Sequence, residues 1–194
     1  MILFQNWFSP VGQILLISTE DTLLMCDWID GAKHIRGLNR LKRFYPEVWQ
    51  EADSGVMRQT RSQIQEFCSG SRRDFSIKYL ASGTRFQKLV WAAVSSIPYG
   101  ETMSYADIAN MIGKKSSVRA VANAIANNPL PLIIPCHRII GSNGSVSGYS
   151  GGIWNFTQNG TALLTTWDTH FLIKWDSYLR RQPYSQSTRA RCPS

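Results

Sequence analysis

The 194-residue chain is 43% hydrophobic and 18% charged, proportions of a globular protein with one good-sized domain or two small ones and a core that needs no staples. Its 21 Lys and Arg against 13 Asp and Glu give a formal charge of +8, which favours a polyanionic partner without separating nucleic acid from an acidic membrane surface. No apolar stretch is long enough to span a bilayer and the start MILFQNWFSPVGQILLI has no basic n-region, so a soluble intracellular protein with no membrane partner is expected.

Residues 3–28 alternate apolar runs with turn signals, FQNWFS, PVG, QILLIS, TEDT and LLMCDW, the pattern of strands joined by tight turns. AKHIRGLNRLKRFYPE follows, a helix with Ile35, Leu38, Leu41 and Phe44 on one face and Pro46 as its stop. GVMRQTRSQIQEFCSG makes a second helix with Val56, Ile64, Phe67 and Cys68 inward, closed by Gly70. Residues 1–80 are therefore expected to form a small N-terminal α+β domain.

From Gly83 the pattern changes to short helices. TRFQKLVWAAVSSIP places Phe86, Leu89, Val90, Ala93, Val94 and Ile97 on one face, between an N-cap at Thr84 and a stop at Pro98-Tyr99-Gly100. SYADIANMIG runs from a cap at Ser104 to Gly113, and SVRAVANAIANNP from Ser116 or Ser117 to a stop before Pro129. Two short helices joined by GKKSS have the format of a helix-turn-helix, and equally that of two packed helices. The second helix tips the balance toward the former. Its buried stripe is Val118, Val121 and Ile125, which leaves Arg119, Ala122, Asn123 and Ala126 outward, a face with a single cation that lets another surface approach closely. Lys114 and Lys115 stand at its entrance, suited to phosphates.

LIIPCHRII has no helical period and reads as a buried strand or extended segment. A free thiol is only about 3% ionised at neutral pH and burial lowers that fraction, so Cys136 needs help to react and His137 is the nearest helper. Neighbours on a strand point to opposite faces; the two communicate only if the backbone bends or a water bridges them, and a merely packed thiol stays open. GSNGSVSGYSGG, next along, is a loop built for unusual backbone angles and close approach to something bound. The other cysteines offer less. Cys26, Cys68, Cys136 and Cys192 share no C-x-x-C spacing and do not cluster with the three histidines, which argues against zinc or any other metal. A disulfide framework does not fit a chain of this size without an export signal, and Cys26 and Cys68 read as small hydrophobes.

Taken together, TRFQKLVWAAVSSIPYGETMSYADIANMIG, RAVANAIANNPLPLIIPCHR and GSVSGYSGG resemble the O6-alkylguanine-DNA alkyltransferases, or methylated-DNA–protein-cysteine methyltransferases. The likeness is close over residues 83–152, and FSPVGQILLI and SQIQEFCSG are similar to that family's N-terminal domain. It implies a ribonuclease H-like N-terminal domain over residues 1–80 and a mostly helical alkyltransferase domain with a helix-turn-helix over 81–182. It implies DNA repair, with irreversible, stoichiometric transfer of an alkyl group from guanine O6, and from thymine O4, to Cys136, without any cofactor. His137 then takes the thiol proton through a water, Asn128 braces the active-site segment and Tyr105 helps the guanine leave. Tyr149, Ser150, Ile139 and Arg138 belong to the base pocket and its surroundings, and Arg119 is a finger inserted where the flipped nucleotide was. Ala120, Ala122 and Asn123 face double-stranded DNA in the minor groove. The protein acts as a monomer, in the cytoplasm of a prokaryote or the nucleus of a eukaryote.

One stretch departs from the family's pattern. Downstream of Gly152 the family has a lysine, a Leu-Leu pair and a glutamate that orients the histidine; aligning Leu163 and Leu164 puts Gly160 at the lysine position and Trp167 at that of the glutamate. Asp168 lies one residue later, a rotation of about 100° on a helix. A protein that binds alkylguanine without repairing it is therefore the alternative reading. Leu163, Leu164, Trp167, Phe171, Leu172, Trp175 and Leu179 follow an amphipathic helical pattern expected to pack on the domain, and residues 183–194 read as a disordered basic tail that adds nonspecific DNA affinity.

Overall fold

The computed structural model describes residues 1–29, 31–141, 153–156 and 162–166. They fall into two compact units, with Met1–Ser82 in one and Gly83–Asn155 in the other, and the fold is α+β, with five α-helices among the described residues. No helix among the described residues is long and apolar enough to cross a membrane.

In the first unit, β1 (Ile2–Ser9), β2 (Gly12–Ser18) and β3 (Leu23–Trp28) form an antiparallel meander. The β1–β2 turn is closed by Gly12, whose φ of 108° a side chain would resist. Every residue of β3 is buried, as a run without polar alternation requires of a strand covered on both faces. Helix α1 (Gly31–Phe44) is followed by β4 (Trp49–Glu51), which pairs parallel with β1 and gives the order β3-β2-β1-β4. At three residues β4 is too short to carry a periodicity of its own.

The inward face of α1 differs from the one its spacing predicts. Leu41 is buried and Leu38 packs with Phe4, Ile29, Tyr45 and Trp49 around a core of Ile2, Leu15, Ile17, Leu24 and Met25, but Ile35 and Phe44 are 58% and 51% exposed. A strict three-residue step falls short of the 3.6-residue turn, so its two ends walk off the core stripe. Helix α2 (Gly55–Cys68) begins where the Ser54 side chain accepts from Met57 N at 3.1 Å and ends before Gly70 at φ 76°. It buries Val56, Met57, Ile64, Phe67 and Cys68, and the Ser54 hydroxyl also meets that of Ser18 at 2.8 Å, tying the helix to the end of β2.

In the second unit, α3 (Arg85–Ser95) starts with a reciprocal capping box between Thr84 and Gln87. Its inward face is Val90, Trp91, Ala93 and Val94, while Leu89 is 45% exposed. Strand β5 (Met103–Ser104) leads into α4 (Tyr105–Met111), capped by Ser104 and Asp107, and Gly113 turns the chain with a φ of 69°. A 3-10 turn at Lys115–Ser117 then opens α5 (Val118–Ala126). Trp91 Nε1 donates to the Ala124 carbonyl at 2.8 Å, pinning α3 to α5 with a buried bond. The short β6 (Ile139–Ile140) pairs parallel with β5.

β7 (Ile153–Phe156) and β8 (Ala162–Thr166) form a two-stranded sheet. Leu163 and Leu164 thus lie in a strand, not at the start of the expected helix; in ALLTT the two Thr residues are weak helix formers and good strand residues. The rest of that expected helix and the tail at 183–194 lie outside the described residues.

Candidate active site

The segment from Asn128 to Pro135 is buried throughout, as its apolar composition predicts, but it is not a strand. Pro129, Pro131 and Pro135 supply no N–H to a ladder, and the chain coils: Ile134 N donates to Leu130 O at 2.8 Å and Leu132 sits at φ 73°. A leucine in the left-handed region is costly and persists only where its surroundings hold it. Asn128, 1% exposed, does much of that holding. Its Nδ2 donates to Ile134 O at 2.9 Å and its Oδ1 accepts from Leu130 N at 2.9 Å, so one side chain satisfies a buried acceptor and a buried donor on opposite arms of the coil.

Cys136–Arg138 forms a single 3-10 turn, with Cys136 N bonded to Ile134 O at 2.7 Å and Arg138 N to Pro135 O at 3.0 Å. The difficulty that a strand would set Cys136 and His137 on opposite faces therefore does not arise, because the backbone bends at this point. Cys136 is 4% and His137 0% exposed. β6 follows at once and registers Met103 against Ile139 and Ser104 against Ile140. That pairing brings the first residue of α4, Tyr105, to the cysteine. Burial, and then the charge on Cys136, hold the Tyr105 phenol above its ordinary 10.0, so Tyr105 is a half-buried proton donor within electrostatic reach of the thiol.

Arg138 lies on the buried side of the cysteine turn. It is grouped by sequence with the residues that contact substrate and DNA, yet it is 7% exposed, donates from Nη1 to the Ile97 carbonyl at 2.9 Å and lies 5.5 Å from the Tyr99 ring centroid. It ties the underside of the cysteine turn to the loop after α3. Burial follows from its place one residue past the His137 corner, and PYG, read only as a helix stop, is what receives it. Trp91 as a brace of α5 is likewise invisible in sequence, since an indole among apolar residues announces no partner.

Arg119, Ala120 and Asn123 are exposed on α5, Ala122 and Ala126 are half-buried, and Lys114 and Lys115 are exposed before it. The buried stripe is Val121, Ala124 and Ile125, with Val118 only half-buried at the helix start. Ile139 is buried in β6. Tyr149, Ser150, Trp167 and Asp168 lie outside the described residues. Cys26, Cys68 and Cys136 are buried and, among the described residues, in no disulfide, and no group of three described His, Cys, Asp or Glu is placed to hold a metal.

The family model for the "6-O-methylguanine DNA methyltransferase, DNA binding domain" matches residues 85–159. A methylated-DNA–protein-cysteine methyltransferase of Methanosarcina acetivorans is 39% identical over 145 residues, spanning 75% of this chain and 87% of the relative. The constitutive enzyme of that name from Bacillus subtilis is 34% identical over 148 residues, spanning 74% and 83%. Among solved structures, Mycobacterium tuberculosis OGT in complex with DNA superposes with a TM-score of 0.72 at 29% identity, covering 91% of this chain and 94% of that one. With its buried Cys-His turn, its Asn128 brace and relatives matched over nearly their whole length, the chain belongs to the methylated-DNA–protein-cysteine methyltransferase family.

Proposed function

We propose that this protein repairs DNA by taking the alkyl group from O6 of a guanine onto Sγ of Cys136. One observation carries the assignment of the acceptor: of the cysteines at 26, 68, 136 and 192, only Cys136 falls within the matched residues 85–159. It also sits in the turn that Asn128 and the β5–β6 pairing hold against Tyr105. The thiolate attacks the alkyl carbon, the carbon–O6 bond breaks, and a thioether forms. His137 takes the thiol proton through a water, and Tyr105 donates toward the guanine as it leaves, so the base departs neutral and no cofactor enters the balance. A thioether has no leaving group to regenerate the thiol, and each molecule acts once. Thymine O4 presents the same alkyl–oxygen bond and is a second substrate.

A guanine held in the duplex stack cannot bring its O6 to the buried Cys136 thiol, so the nucleotide must rotate out, at a cost of a few kcal/mol that is least for a weakly paired lesion. Arg119, exposed near the start of α5, fills the vacated space. We read α4, the turn and α5 as a helix-turn-helix whose second helix enters the minor groove, its small residues Ala120 and Ala122 suited to a narrow groove. The order β3-β2-β1-β4, with β4 parallel to β1, supports a ribonuclease H-like N-terminal domain over residues 1–80, followed by the alkyltransferase domain over 81–182. The protein acts as a monomer where its DNA lies, in cytoplasm or nucleus.

The test is mass spectrometry of the intact chain after incubation with a duplex containing one O6-methylguanine. Transfer adds one methylene, stoichiometrically, and Cys136→Ala abolishes the gain. Binding with no change in mass would favour the reading as a non-repairing sensor, and turnover beyond one equivalent would exclude a single-use acceptor.

A further inference from the structure

The N-terminal unit carries a basic surface that alkyl transfer does not require. Helix α1 holds Lys33, Arg36, Arg40, Lys42 and Arg43 and no Asp or Glu. The helix turns 100° per residue, which places Arg36, Asn39 and Arg43 on the side opposite Leu41, the residue buried in the core. All three are exposed, as is Lys42, which lies 5.7 Å from the Trp49 ring at the edge of this face. Arg40 is half-buried and feels the charge of Asp27.

A helix selected for stability alone would not be built this way. Like charges three and four residues apart, as at 36, 40 and 43, weaken a helix, and the first turn holds no acid to complement its positive end. Elsewhere in the unit cations meet carboxylates: Lys78 with Asp21, Arg58 and Arg61 with Asp53, Arg72 with Glu66. Among the described residues, neither Arg36 nor Arg43 is in such an ion pair. Of the ten Lys and Arg in residues 1–82, which face nine Asp and Glu, five thus fall on this one helix, and its outer face concentrates positive charge in a unit that is otherwise nearly balanced. Its arginines at positions 36 and 43 stand about 10 Å apart along the axis, a span of about three nucleotide steps of a duplex strand.

We infer that Arg36 and Arg43 on the outer face of α1 bind the phosphate backbone of duplex DNA, as a sequence- and lesion-independent contact additional to that of α5. This rests on DNA being the partner of the chain and not on which residue accepts the alkyl group. The test uses the full chain, the double variants Arg36→Gln/Arg43→Gln and Arg36→Lys/Arg43→Lys, and an undamaged 30-base-pair duplex, with affinity followed by fluorescence anisotropy across a range of NaCl concentrations. Loss of two phosphate contacts should reduce the slope of log affinity against log salt by about 1.8 in the glutamine variant, while the lysine variant keeps the parent slope. Single-turnover transfer from free O6-benzylguanine should be equal in all three, since neither arginine belongs to the site. An unchanged slope in the glutamine variant overturns the proposal, as would an equal loss in the lysine variant or charge-dependent binding to phosphatidylserine vesicles with DNA affinity untouched. If the parent fails to accept the benzyl group while the slopes still differ, the transfer reading fails and the DNA contact stands.

Discussion

The side-chain amide of Asn128 reaches across six residues to the carbonyl of Ile134, two positions before the cysteine turn. Because the same side chain also accepts from Leu130 N, Asn128→Ala strands the buried Leu130 N–H and removes one donor from the Ile134 carbonyl, which keeps its bond from Cys136 N. Unfolding in urea should show a loss of about 2 kcal/mol or more. Asn128→Asp keeps the bond to Leu130 but sets a carboxylate against the Ile134 carbonyl, and should be at least as damaging. Wild-type stability in both variants would remove Asn128 as the brace.

Gly83 and Trp91 are in close packing. A Cβ on Gly83 would lie 2.5 and 2.7 Å from two carbons of the Trp91 ring, and that ring is fixed by its bond to Ala124 O in α5. Gly83→Ala should cost about 1–3 kcal/mol through overpacking and shift the near-ultraviolet circular dichroism of Trp91. Gly113 is a useful contrast, because a Cβ there meets nothing within 4 Å and only its φ of 69° resists; Gly113→Ala should cost about 1 kcal/mol with no spectral change.

Tyr105 should keep its proton where free tyrosine begins to lose it. Burial and the Cys136 charge both raise its pKa above 10.0, so single-turnover repair should hold up to about pH 10 before any decline due to this group. Tyr105→Phe removes the donor and should slow transfer by about 10²-fold or more, with duplex affinity little changed. A Tyr105→Phe variant that repairs at the parental rate would leave the phenol without a chemical role.

Acid should weaken the N-terminal unit through Asp53. The Arg61 guanidinium, bonded at 2.7 Å, leads the causes that hold this carboxyl below its ordinary 3.8. A carboxylate with a depressed folded pKa adds stability above its unfolded value and loses it as pH falls through the folded one. The contribution is therefore complete near pH 5 and disappears progressively below about pH 4. Asp53→Asn should be less stable than the parent at pH 6, and the gap should narrow in thermal melts as pH falls below about 4.

Local signals in the sequence carry much of this fold. Thr84, Ser104 and Gly113 announce the ends of α3 and α4 because caps and left-handed turns are decided by residues three or four apart. The unalternating LLMCDW announces a strand buried on both sides. What sequence conceals is set by distant partners. Nothing in PLPLIIPCHR shows what shape the chain takes once its prolines are denied a strand ladder, or that Arg138 turns inward to Ile97. The catalytic assignment rests on resemblance for the same reason: the proximity of Tyr105 to Cys136 comes from a two-residue parallel pairing between segments 36 positions apart.

Cys26 lies in β3, at the end of the strand order, yet is 1% exposed, and burial first and the neighbouring Asp27 second drive its thiol well above the ordinary range. A thiol that stays protonated and enclosed is a poor target for electrophiles. The chain can therefore sit among the same reagents that damage DNA without being spent at this position, and the chemical selectivity of the proposed acceptor is written as much into the thiol the fold silences as into Cys136 itself.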